Sequence, residues 1–117
     1  MGFINIKEFQ PIEPVPGCRM RTPFGEHLML SYLEMDEGAV VPLHSHPHEQ
    51  LIWIVKGSMD LRLGNEKRSM KAGDLAVVPS GVEHEGYFPE DSEAVDVFAP
   101  PREDFLAGGP PVYMKRK

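Results

Sequence analysis

Three of the chain's five histidines, His44, His46 and His48, fall close together and are followed at once by Glu49 and Gln50. Residues two apart on a strand point to one face, so His44 and His46 present their imidazoles side by side. Were that strand to run straight on, Gln50 would lie roughly 13 Å beyond His46 at about 3.3 Å per residue, too far to share an ion with it. The chain must therefore turn at Pro47-His48-Glu49, and Gln50 then opens a return strand, 51–55, that stops at Gly57. A second stretch, from Gly73 to His84, repeats the logic: a strand, a tight turn at Pro79-Ser80-Gly81, then a histidine entering the next strand. Three imidazoles and one amide can converge in this way, and three convergent imidazoles suit a divalent transition metal. The alternative is a set of hydrogen-bonded interior histidines. His48 belongs to the turn, where solvent exposure or a structural hydrogen bond is expected, and His27, without a partner pattern, reads as an ordinary strand residue.

A second group of reactive side chains lies at Asp96-Val97-Phe98 and, beyond Ala99-Pro100-Pro101, at Arg102. On a strand ending at Phe98, Asp96 and Phe98 share one face while Val95 and Val97 share the other, which sets a carboxylate beside an aromatic wall. The two prolines end that strand and hold Arg102 at a fixed corner, from which its planar fork can bind a substrate carboxylate in bidentate fashion. The competing reading is a structural Asp96–Arg102 ion pair over a core phenylalanine. Cys18 precedes these elements and carries no expectation of acting as a nucleophile.

Positioning such groups requires a rigid frame, and the rest of the sequence supplies one built of strands. Twelve prolines and 11 glycines punctuate the 117 residues. Between them lie short apolar or alternating runs at 28–35, 39–43, 51–55, 59–63, 74–78 and 94–98, and Gly64-Asn65-Glu66 reads as a hairpin turn leading into a strand at 67–70. No stretch of helical period is free of Gly or Pro, except one beginning at His27 that its β-branched and aromatic neighbours leave unsettled. Many short strands with a turn signal every 8 to 12 residues indicate an all-β sandwich or barrel. Pro11–Pro16 and Pro110-Pro111 are expected in extended N- and C-terminal arms.

Composition removes several function classes. One cysteine excludes a disulfide framework or a Cys-based zinc module and is compatible with a cytoplasmic location. No apolar run approaches the length of a membrane span, and the N-terminus lacks the layout of a signal peptide, so no membrane association is expected. A net charge of −6, with Lys115-Arg116-Lys117 as the basic cluster, argues against nucleic acid as a partner.

The first histidine unit resembles cupin motif one, G-x5-H-x-H-x3-E-x6-G, with Gly38, His44, His46 and Gly57 in register and Gln50 in place of the glutamate. The second resembles cupin motif two, G-x5-P-x-G-x2-H-x3-N, with Gly73, Pro79, Gly81 and His84 in register and Phe88 in place of the asparagine. The resemblance implies a double-stranded β-helix, or jelly-roll barrel, as a single domain over 1–117 with its metal-binding core at about 38–98. It also implies one divalent metal, with Mn, Fe, Ni and Zn all open. HSHPHEQ at 44–50 together with DVFAPPREDFL at 96–106 is similar to the KdgF-type cupins of pectin and alginate catabolism. That similarity implies His44, His46, Gln50 and His84 as ligands and Asp96, Phe98 and Arg102 as active-site residues. The activity implied is conversion of 4,5-unsaturated monouronates, small anionic substrates, into linear keto-uronates.

Neutral donors would leave such an ion its full charge, which favours an anionic ligand. They also differ from the two-histidine, one-carboxylate set of non-haem Fe(II) oxygenases and suit Lewis-acid work on a carbonyl, enol or carboxylate. The alternatives are a non-catalytic sugar-acid or metal-binding cupin and a metal-dependent dioxygenase or lyase on another small organic acid. Arms of this kind, and the exposed edges of a small sheet, further suggest a homodimer.

Overall fold

A computed structural model describes residues 2–106. Among the described residues, nine antiparallel strands form two facing sheets: β1 (Cys18–Arg21), β2 (Met29–Met35), β3 (Val40–His44), β4 (Glu49–Lys56), β5 (Ser58–Leu63), β6 (Glu66–Lys71), β7 (Leu75–Val78), β8 (His84–Tyr87) and β9 (Ser92–Ala99). One sheet has the order β1-β2-β9-β4-β7 and the other β3-β8-β5-β6, the jelly roll that the motifs imply. Strict alternation makes this arrangement stable. Along β2 and β4 every second side chain, including Met29, Leu33, Ile52 and Ile54, enters the space between the sheets, where Phe88, Phe98 and Val78 are also sealed from water.

Turns hold the strands in register. Gly64 and Asn65 make a two-residue hairpin between Leu63 and Glu66, with Gly64 at a positive φ of 59°. At Gly57, which joins β4 to β5, φ is 82° and an added Cβ would lie 2.6 Å from the Asp91 carbonyl oxygen as well as against Ser92. Both the left-handed backbone and the close approach require glycine. Gly57→Ala is expected to lower stability by about 3 kcal/mol, read as a shift in the urea midpoint; an unchanged midpoint would show that this corner relaxes freely.

Several expectations are corrected. Cys18 does not precede the barrel but opens β1, buried with Met20 on the inner face while Arg19 and Arg21 point out. His27 is an exposed residue in a bend between β1 and β2, not part of a strand. The N-terminal arm folds back on its own barrel: Ile12 bridges Met20 and Val15 is buried, after a single 3-10 turn at Ile6–Glu8. A short helix, α1 (Glu103–Leu106), follows Arg102 and tucks Phe105 into the core. Pro110-Pro111 lies outside the described residues. No helix among the described residues is long and apolar enough to cross a membrane.

Candidate metal centre and active site

The barrel brings the two histidine units together at one end. His44 and His84 are direct partners across β3 and β8, beside a register irregularity between Val41 and His44. The Gly81 amide of the second turn donates to the His46 carbonyl oxygen at 2.8 Å, tying the units to each other. As a result the candidate ligand atoms of His44, His46 and His84 lie within 4.8 Å of one another. From the opposite sheet Gln50 completes the group, its Oε1 standing 3.0 Å from His46 Nε2.

Hydrogen bonding fixes which face each ring offers. His44 Nδ1 lies 2.7 Å from the Pro42 carbonyl oxygen, His46 Nδ1 3.1 Å from that of His48, and His84 Nδ1 2.9 Å from that of Val82. A carbonyl oxygen only accepts, so each Nδ1 carries the proton and each Nε2 the lone pair. Metal-ligating histidines donate their second nitrogen in just this way. His84 Nε2 is buried without a partner, and the lone pairs of His46 Nε2 and Gln50 Oε1 face each other. A cation between them would satisfy both. Burial, reinforced by the positive charges of neighbouring groups, holds His44 down to about 4 and His46 down to about 3. His84 is lowered for the same first reason. All three rings are therefore neutral at pH 7, the form that ligates. These residues fit a divalent ion.

Asp96 projects into the barrel from β9, beside Phe98 on the same face and in register with Ile52 of β4 and Ser31 of β2. Its Oδ1 is sealed off with no hydrogen-bond partner, as is the hydroxyl of Ser31. Burial pushes its carboxyl up to about 7, against the downward pull of the Arg102 charge and the Gln50 amide. Asp96, Gln50, His44, His84 and Arg102 line an interior chamber of about 50 Å³. On the other side of the histidines, an open cleft of about 620 Å³ is lined by His44, His46, His48, Arg102 and Glu103. The centre thus stands between a small, largely apolar interior chamber into which a few polar groups project and a solvent-connected mouth.

Arg102 is neither held out to solvent nor paired with Asp96. It is buried, its guanidinium 5.1 Å from the Phe98 ring centre and 4.3 Å from that of Phe105, and two of its donors reach Asp104 at 3.1 and 2.8 Å. A carboxylate already occupies one edge of the fork, and Nη1 makes no hydrogen bond among the described residues. Phe98 is a wall of this chamber, edge-on to His46 at 5.7 Å and to Phe105 at 5.8 Å. His48 takes the structural role and is not exposed: it is buried, with Nε2 2.6 Å from Glu103. Asp104, Glu103 and Ser31 escaped the sequence reading. The acidic pair directly after Arg102 was a visible signal, but only the turn of α1 shows that it folds back. Cys18 is buried and its thiol is pushed up to about 12, first by burial and then by the Asp96 charge, so it is inert at neutral pH.

Known proteins share this fold. The cupin domain family matches residues 31–99. The pectin degradation protein KdgF of Dickeya dadantii (strain 3937) is 31% identical over 85 residues, covering 71% of this chain and 77% of that protein. Among solved structures, KdgF from Halomonas sp. superposes with a TM-score of 0.84 at 31% identity, over 91% of this chain and 99% of that one. An RmlC-like cupin from Shewanella frigidimarina NCIMB 400 gives a TM-score of 0.84 at 27% identity, over 90% and 96% of the two chains. The chain belongs to the cupin domain family, as a small cupin similar to KdgF in both sequence and structure.

Proposed function

We propose that this protein is a metal-dependent enzyme that opens and tautomerises 4,5-unsaturated monouronates to linear keto-uronates. The observation that carries the reading is the Asp96 carboxyl, unpartnered at Oδ1 and raised to about 7, in the chamber that also holds Gln50, two of the three histidines and Arg102. A group near neutrality both gives and takes a proton at pH 7. The likeness to a pectin degradation protein supports a uronate as substrate.

The reaction is an isomerisation and needs no oxidant. Loss of the proton from the C1 hydroxyl breaks the C1–O5 bond and leaves an aldehyde with an enol at C4–C5; a proton then adds to C4 while the enol oxygen loses its own. His44, His46, His84 and Gln50 would hold a divalent ion, which supplies Lewis-acid stabilisation of negative charge on ligand oxygens. Asp96 moves the proton between the enol oxygen and C4. Arg102 binds the substrate carboxylate through the nitrogen that Asp104 leaves open, with Phe98 as the wall beneath. The chamber is too small for a sugar ring, so the body of the substrate lies in the cleft and the reacting end reaches inward.

In D2O the product from unsaturated galacturonate should carry one deuterium at C4, faster than in enzyme-free buffer, as read by NMR. Bound ligand without enhanced exchange would instead make this a binding protein. Arg102→Lys keeps the charge but loses the planar fork, so it is expected to raise KM by about tenfold or more with a smaller fall in kcat. A selective fall in kcat would place Arg102 at the reacting atoms.

A further inference from the structure

Arg102 begins α1 with its own backbone. Its carbonyl oxygen accepts from the amides of Phe105 and Leu106, each at 3.1 Å, and this turn carries Asp104 back beside the Arg102 side chain. Phe105, buried in the core, anchors the turn. The Asp104 carboxylate lies alongside the guanidinium: Oδ1 accepts from Nε at 3.1 Å and Oδ2 from Nη2 at 2.8 Å. Both side chains are nearly sealed from water, at 5% and 10% exposure. A planar fork held by two such bonds has its orientation fixed, so the end that carries Nη1 is the part of Arg102 left to offer a ligand. Nη1 makes no hydrogen bond among the described residues, and Arg102 and Asp104 both line the open cleft beside His44 and His46.

Asp104 also sets the charge of the site. Three neutral imidazoles and an amide leave a bound divalent ion its full charge, and an unpaired guanidinium beside it would add one more. Such a site would favour whichever anion is most highly charged, and a phosphate monoester, at about −1.5 to −2 near pH 7, would outcompete a singly charged carboxylate. Asp104 cancels the Arg102 charge and places a fixed negative group on the wall of the cleft. A doubly charged ligand meets its repulsion, whereas a planar carboxylate matches the Nη1–Nη2 end of the fork.

We infer that Asp104 determines the specificity of this site: it orients the Arg102 fork and selects a sugar carboxylate over a sugar phosphate. The inference rests on the uronate reading for the identity of the carboxylate, so binding is measured apart from turnover. The metal-loaded full chain is titrated by calorimetry with two saturated probes, galacturonate and galactose 6-phosphate, which carry their anions at the same end of the sugar. Wild type should bind galacturonate the more tightly. Asp104→Asn keeps the shape but removes the charge and one acceptor, and it should weaken galacturonate by about tenfold or more while galactose 6-phosphate binds at least as tightly as to wild type. In an Arg102→Lys background the same change should no longer weaken galacturonate, because no fork remains to be oriented. Equal weakening of both probes would make Asp104 a structural prop, and tightening of both would reduce it to its charge; either result overturns the inference. Should Asp104→Asn fail to fold, Asp104→Glu keeps the charge and displaces the carboxylate by one methylene. It should weaken galacturonate with the phosphate still rejected, and unchanged galacturonate binding overturns the inference. So does a wild type that binds galactose 6-phosphate as tightly as galacturonate. A wild type that selects galacturonate yet leaves the 4,5-unsaturated sugar unconverted upholds the role of Asp104 and removes the enzymatic reading alone.

Discussion

Asp96→Asn is expected to lower turnover of 4,5-unsaturated galacturonate by about 10²–10⁴ while leaving metal content unchanged. Asparagine keeps the shape and one acceptor but cannot exchange a proton, and Asp96 is not among the four groups that converge as ligands. The same variant has an opposite effect on the stability of the metal-free protein. Because the folded pKa of about 7 exceeds the ordinary 3.8, the folded state holds this proton to higher pH than the unfolded chain does. Its favourable contribution is complete below about pH 4 and is lost as pH rises through 7, a loss of up to about 4 kcal/mol at 1.36 kcal/mol per unit. Asp96→Asn should escape that loss and so gain over wild type between pH 4 and 8 in denaturant titrations. A variant that is slower yet no more stable at pH 8 would mean that Asp96 is compensated by a partner in solution.

Changing His44 and His46 together to alanine is expected to abolish metal binding and activity together. Two of three convergent imidazoles disappear, and the remaining His84 and Gln50 cannot close a coordination sphere. Elemental analysis of wild type should find close to one divalent transition metal per chain, and of the double variant almost none. Because His44 and His46 are already neutral well below pH 7 and His84 is shifted in the same direction, wild-type loading should change little between pH 7 and 6. Wild-type protein that takes up no divalent metal on reconstitution would leave the three histidines as interior structure.

The frame that positions these groups was legible because its signals are local. Alternation in β4, the Gly64-Asn65 turn and the glycines at 38, 57, 73 and 81 each report on a few consecutive residues, and together they bring His44, His46 and His84 to one place. Other features depend on distant packing. The period-two signal of β1 spans only Cys18 to Arg21 after a proline-rich approach, and it becomes a strand by pairing with β2. Arg102 was visible as a fork at a corner; that Asp104 fills one edge of it requires the turn of α1, and that it lies between Phe98 and Phe105 requires the closed barrel. For His48 the turn left open solvent exposure or a structural hydrogen bond, and nothing near it in sequence announces Glu103 as the partner. His27 reads as a strand residue from its neighbours, but the structure leaves it in an exposed bend.

The central claim is tested most directly by following the ultraviolet absorbance of the conjugated double bond of 4,5-unsaturated galacturonate, with metal-loaded wild-type protein against buffer alone. The absorbance should fall at a rate proportional to enzyme concentration and far above the uncatalysed rate, and chelation should stop it. Fully loaded protein that leaves the absorbance of this substrate and of its alginate-derived counterpart at the buffer rate would contradict the account.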